Sequence, residues 1–329
     1  MTWLTWRQFR VPAASVYAAI AAILVVLAIT GADLPGRTDY SDQEVLFGST
    51  ILVLYLLPAV IGVFWGVPLV TRELETGTHN VVWNQSITRK RWLTTKMGLG
   101  VLAAMVAAAL LSTAVSWWAS PIDAMAAADA GSSELNRMTP VVFAARGIAP
   151  IGYAAFAFVL GVAVGIALRK TVAAMAVTLV VFVAVMVAVP VLVRPYVLPA
   201  TQETVAITSS NIHQITGNES GVVESITVSQ PAGAWVLANE TVDASGTAVS
   251  PLPEAVQDCM PRPGRDAGPP NRMNVMECMA QLSDLGYTQR ITYQPGHRFW
   301  PLQWIELGLF LALSALLTWF SFRRIRHLS

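Results

Sequence analysis

Six stretches of mostly apolar residues constrain this chain more than any other feature. They cover residues 13–29, 49–70, 97–118, 147–168, 171–193 and 303–322. A helix needs about 20 such residues to cross a bilayer. Inside a bilayer each backbone polar group must find its partner within the protein, which a helix provides. Composition agrees: 54% of the 329 residues are hydrophobic and 12% are charged, against about 25% charged in soluble domains. The formal net charge of +1 gives no basic surface for nucleic acid. The expected fold is mainly α, a polytopic membrane protein with six transmembrane helices. The first stretch follows Arg7 and Arg10 and looks a little like a signal peptide, but five spans follow it, which favours a retained helix.

Lys and Arg near span ends set orientation. With the N-terminus inside, the inner segments carry Arg7, Arg10, the basic residues of a long loop, Arg169, Lys170, Arg323, Arg324 and Arg326. The short outer loops carry Arg37, Arg137 and Arg146. The expectation is a multi-pass protein of the cell (plasma) membrane with both termini cytoplasmic.

The chain then divides into an N-terminal segment 1–12, five spans over 13–193 with a cytosolic loop at 71–96, an extracellular domain at 194–298, and the sixth span with its tail at 299–329. Residues 2–10 place Trp3, Leu4 and Phe9 beside Arg7 and Arg10. Two readings stand: a helix lying in the interface, or plain flanking residues of span one. The extracellular segment is rich in Ser, Thr, Asn, Gly and Pro and reads as a small α+β domain between helices five and six. Strands are expected over 222–228 and 234–242, and a short helix over 274–285 with Val275, Cys278, Met279 and Leu282 on one face. Residues 261–271 read as a loop. Cys259 and Cys278 both fall here. On an oxidising side they are most simply a disulfide, worth about 3 kcal/mol, the alternative being two free thiols.

Gly62 and Gly66 in span two, and Gly161 and Gly165 in span four, have the small-xxx-small spacing that lets helix backbones approach. Packing within one subunit and packing between subunits both use it. Pro58 should kink span two. Arg169 and Lys170 alone separate spans four and five, which forces a tight hairpin that no Gly or Pro marks. Phe299, Trp300 and Trp304 form an aromatic belt at the entry to span six. Glu306 follows. It is either an intramembrane acid with a function or a first-turn residue near water, favoured by the helix dipole.

The long loop is the polar interruption with the most to explain. It reads RELETGTHNVVWNQSITRKRWLTTKM from Arg72 to Met97 and holds Arg72, Arg89, Lys90, Arg91 and Lys96. Positive charge alone would serve orientation, but Glu73 and Glu75 cannot. Gly77 is a natural helix stop and Thr78 can cap the next helix. A short helix through Trp83 and a restart at about Thr88 follow.

The order Arg-Glu-x-Glu-x-Gly-Thr, a short apolar run, Ser-x-x-Arg, then a Lys seven residues on, resembles the loop after the second helix in ABC-2-type ABC transporter permeases. The run Tyr293 to Glu306, YQPGHRFWPLQWIE, is similar to the last-span entry of actinobacterial permeases of this kind. One departure is that Pro, frequent in the family near Ser86 or Ile87, is absent. The resemblance implies a permease subunit of an ATP-driven exporter for an unidentified substrate (drug, lipid or peptide-like). It implies that Arg72, Glu73, Glu75, Gly77, Thr78, Arg89 and Lys96 couple it to an ATPase. Glu75 would reach Arg or Lys groups on that partner or on a neighbouring span, and Glu73 the lipid headgroups. Two ATPase copies would dock below a pair of permease chains, as a homodimer or with a related permease. Spans two and five would line the path.

The chain has no Gly-Lys-Ser or Gly-Lys-Thr and so no phosphate-binding loop; ATP and Mg would belong to the partner. His79, His213, His297 and His327 lack metal-ligand spacing, and no catalytic cluster stands out, so the expectation is a transport subunit and not an enzyme. The competing class is a membrane-anchored sensor or assembly factor acting through the extracellular domain.

Overall fold

The structure, a computed structural model, describes residues 2–37, 40–77, 88–128, 136–218, 222–257, 259 and 272–326. The chain divides into two compact units. A helical unit comprises Met1–Asp123, Pro140–Arg194 and Phe299–Ser329, and a second unit comprises Ala124–Thr139 and Pro195–Arg298.

Among the described residues six helices are long and apolar enough to cross a membrane: Arg10–Gly31, Ser41–Glu75, Arg89–Trp118, Ala149–Leu168, Thr171–Val197 and Gly296–Arg326. They are the six expected spans, but most run further at their ends. Hydropathy registers only the apolar stretch, whereas a helix continues into the interface as long as its backbone is bonded. The first span continues one unbroken helix from Thr2 to Gly31, with Pro12 inside it. The N-terminal segment is thus an extension of span one.

The fourth span is the centre of the helical unit: 78% of its apolar window is buried within this chain. It packs against the second, third, fifth and sixth spans, and the first span packs on the third. Small residues make this possible. A Cβ on Gly62 would stand 2.7 Å from the Ala157 carbonyl oxygen, and one on Gly66 2.4 Å from that of Phe158. A Cβ on Gly161 would in turn stand 2.3 Å from the Gly62 oxygen, and one on Gly165 2.9 Å from Thr71. Spans two and four therefore meet backbone to backbone at Gly62, Gly66 and Gly161, and Gly165 leaves room for the Thr71 side chain. Span two widens into a π-helical turn over Ile61–Gly66, closed by the Val67 N–H on the Gly62 carbonyl, five residues back, at 3.1 Å. Pro58, which has no N–H to give, lies just before it.

The hairpin between spans four and five turns at Arg169, a non-glycine residue with φ +57° whose N–H bonds the Gly165 carbonyl at 2.9 Å. Such a conformation costs an L-residue about 1–2 kcal/mol.

In the second unit, strands β1 (Thr201–Ala206), β4 (Trp235–Val242) and β5 (Thr288–Gln294) form an antiparallel sheet in the order β1-β5-β4. Strands β2 (Ile212–Gly217) and β3 (Val223–Val228) form a separate antiparallel pair. The helix Arg272–Asp284 lays Met279 and Leu282, with Val275 and Cys278 beside them, on Ile207, Ile212, Val223, Ile226 and Val256. A disulfide joins Cys259 to Cys278 and pins this helix to the segment before it. The expected loop 261–271 lies outside the described residues. Segment 124–139 belongs to this unit too, although it precedes span four in the chain.

Candidate functional site

Two clusters of buried polar side chains lie near the two ends of the helical unit. Lys96 of the first and Ser112 of the second sit on the same third span, about 24 Å apart at 1.5 Å per residue.

The first cluster closes the base of the long loop. The second span ends at Glu75, and the third begins at Arg89, with the Thr88 hydroxyl accepting the Arg91 N–H at 3.3 Å. Glu73 turns inward: its Oε1 lies 2.5 Å from Lys96 Nζ and its Oε2 accepts the Trp92 indole N–H at 3.0 Å. Lys96 also donates to the Leu69 carbonyl at 3.1 Å and sits over the Trp92 ring. The side chains are 4% and 14% exposed for Lys96 and Glu73. Glu73 is thus held by a lysine one helix away, a largely buried partner.

Glu75 is exposed, and its Oε2 accepts both the backbone N–H of Thr171 at 3.2 Å and the Thr171 hydroxyl at 2.6 Å. Thr171 opens the fifth span, so Glu75 satisfies a free N–H at a helix start, where the dipole favours an anion. Glu75 thus reaches a neighbouring span, as a cap on its first turn and not through Arg or Lys. It also supports the hairpin that Arg169 strains. Gly77 takes φ +72° with nothing near its Cβ position, two residues past the helix end. Arg72 is exposed and Arg89 half-buried. Thr78, His79, Trp83, Ser86 and Ile87 lie outside the described residues.

The second cluster was not legible as a cluster in the sequence. Glu306 is 5% exposed and Arg194 2%. Arg194 Nε and Nη2 each lie 2.8 Å from a Glu306 oxygen, a bidentate pair. The Tyr153 hydroxyl donates to Glu306 Oε1, and Arg194 Nη1 donates to the Pro140 carbonyl at 3.1 Å. The guanidinium lies over the Phe143 ring at 4.3 Å. The first-turn reading of Glu306 is corrected: the helix starts at Phe299 and not at Pro301, which a first turn tolerates. Glu306 is then two turns in, away from water. Three spans meet at this carboxylate.

Beside it, Gln303 Oε1 accepts the N–H groups of Ile148 and Ala149 at 2.9 and 2.8 Å, capping the fourth span from the sixth. Its Nε2 donates to the Phe143 carbonyl at 3.0 Å. Gly147, at φ +65°, admits this approach, since a Cβ there would stand 2.8 Å from Gln303 Oε1. The hydroxyls of Ser112 and Ser116 bond the Gly147 carbonyl and N–H. Arg146 is also buried, at 1% exposure, 3.5 Å from Asp123 and over the Phe47 ring at 4.8 Å. It is a structural arginine, not a solvated loop charge. Among the described residues no three His, Cys, Asp or Glu side chains gather as metal ligands would.

Six spans tied by buried charges at both ends define a multi-pass helical membrane protein. Residues 32–194, about half of the chain, match the model of a family described as ABC-2 membrane transporter related. The chain belongs to this family, whose members are permease-like membrane proteins. The matched region runs through spans two to five, contains the loop and both bases of its support, and stops at Arg194. No curated protein and no solved structure is significantly similar to the chain.

Proposed function

We propose that this chain is the membrane-spanning subunit of an ATP-driven exporter, with ATP and Mg bound by a separate ATPase. In this reading the loop after span two faces the cytosol and receives the ATPase. Two permease chains and two ATPase copies make the working unit, and both termini are cytoplasmic.

One observation carries the reading. At the base of the loop, Glu73 binds span two to span three through Lys96 and Trp92, and Glu75 binds it to span five through Thr171. A push on the loop is therefore delivered to three spans at once through short, partly buried contacts. A loop serving orientation alone needs positive charge only, and neither of these acids. Gly77, with its positive φ, sets where the helix lets go of the loop.

The test is co-purification of the chain with an ATPase subunit from its native membrane, followed by ATP turnover in proteoliposomes. The wild type is expected to carry an ATPase. Glu75→Ala and Gly77→Val are expected to reach the membrane but lose the partner or its turnover. Full assembly and unchanged turnover in both variants would reduce the loop to a charged connector.

A further inference from the structure

A cavity of about 260 Å³ opens at the loop end of the helical unit, lined by Pro12, Phe64, Trp65, Leu69, Arg72 and Glu73 among others. Its chemistry is graded. Phe64 is 58% exposed on the apolar part of span two, and Arg72 lies eight residues further on, about 12 Å along the axis. Pro12 of the first span forms the opposite wall.

The charges at the cavity do not cancel. Glu73 gives one oxygen to Lys96 and the other to Trp92, and Lys96 also donates to the carbonyl of Leu69, itself a lining residue. This pair is neutral as a unit. Arg72 is exposed, and among the described residues its guanidinium has no carboxylate partner. Among the described lining residues the mouth of the cavity thus carries one net positive charge, a planar fork suited to a phosphate. Because Glu73 is engaged, the described lining residues offer no free carboxylate for the ammonium of a zwitterionic lipid. Basic pockets between membrane helices at the headgroup level are places where anionic lipids bind.

We propose that this cavity holds the headgroup of an anionic phospholipid, its phosphate on Arg72 and its chains along Phe64. The lipid then wedges between the first span and the end of the second, next to the loop. This assignment needs the bilayer and not the ATPase, so it stands or falls separately from the exporter reading.

Native mass spectrometry of the purified full-length chain tests it, with phosphatidylglycerol and phosphatidylcholine offered in equal amounts. The wild type is expected to keep one phosphatidylglycerol per chain after phosphatidylcholine has washed out. Arg72→Ala should cut that retention about fivefold, the worth of one basic residue near a membrane surface. Phe64→Ser should lower it as well, while Arg323→Ala, a basic change in the last turn of span six, should not. Excess glycerol 3-phosphate should fail to displace the lipid. Equal retention in Arg72→Ala, equal retention of phosphatidylcholine, or equal loss in Arg323→Ala would overturn the proposal. Displacement by glycerol 3-phosphate would also overturn it, making the cavity a site for a soluble phosphate.

Discussion

Arg194 and Glu306 form an ion pair where an unpaired charge would be costly. Removing one partner of a buried pair costs about 3–5 kcal/mol, while replacing both by apolar groups of similar size is often neutral. Arg194→Met and Glu306→Leu are each expected to lower thermal stability in detergent strongly. The double variant should recover most of the loss. If the single and double effects simply add, the pair contributes nothing as a pair. A second residue-scale case lies in the other unit. The Ser245 hydroxyl, and then the Thr247 N–H, hold the Asp243 carboxyl below its ordinary pKa. A lowered folded pKa gives stability that is present above the usual carboxylate range and lost as pH falls through the folded value. The turn from Asp243 to Thr247 should loosen on acidification, followed by amide exchange at Gly246 and Thr247, and Asp243→Asn should flatten that pH dependence. Residue roles were only partly legible. Glu306 stood out because an acid in an apolar run is rare, but Arg194 did not, because it sits where the fifth span ends and reads as a flanking charge. Gln303 and Ser112 gave no signal, since their partners are backbone groups that only the fold brings near.

Elements were read more easily than roles. Six apolar runs became six spans because length and hydropathy leave a membrane helix few alternatives. Apolar length alone places helix ends short where polar residues continue the helix, but the restart expected at about Thr88 holds: Thr88 caps a helix that runs from Arg89 to Trp118. The glycine spacing located a real approach of two backbones, although spacing alone could not say which helices meet. This gives an internal comparison on one span. Gly66→Ala must push a methyl group to 2.4 Å from a backbone oxygen, whereas Gly48 has nothing within 4 Å of its Cβ position. Gly66→Ala is expected to destabilise by about 1–3 kcal/mol. Gly48→Ala should be neutral or stabilising, by up to about 1 kcal/mol, through helix propensity. Similar melting temperatures for the two would mean that spans two and four do not pack this way. In the other unit, β3 and β4 were legible from their β-branched and aromatic content. Strands β1, β2 and β5 carry Gln, Thr and Glu at many positions and lie partly exposed, so their alternation is faint. The hairpin at Arg169 was forced by length, but its geometry depends on a cap from Glu75, 96 residues away in sequence.

At the scale of the whole molecule, one helical unit carries buried charge near both ends, and one end bears the loop. The family match ends at Arg194, so residues 195–298, which carry the disulfide, lie outside the region that defines the family. A disulfide is at home on an oxidising side of the membrane, and the basic residues of the loop favour the opposite, cytosolic side. The proposed function needs both placements. Because the two native cysteines are bonded to each other, an introduced cysteine is the free thiol that a reagent will find. The deciding measurement is labelling of intact cells with a membrane-impermeant thiol reagent, using Asn84→Cys in the loop and Ala244→Cys at an exposed turn of the second unit. The account predicts that Ala244→Cys reacts and that Asn84→Cys reacts only after the cells are opened. Labelling of Asn84→Cys in intact cells, with Ala244→Cys protected, would place the loop away from any ATPase and contradict the account.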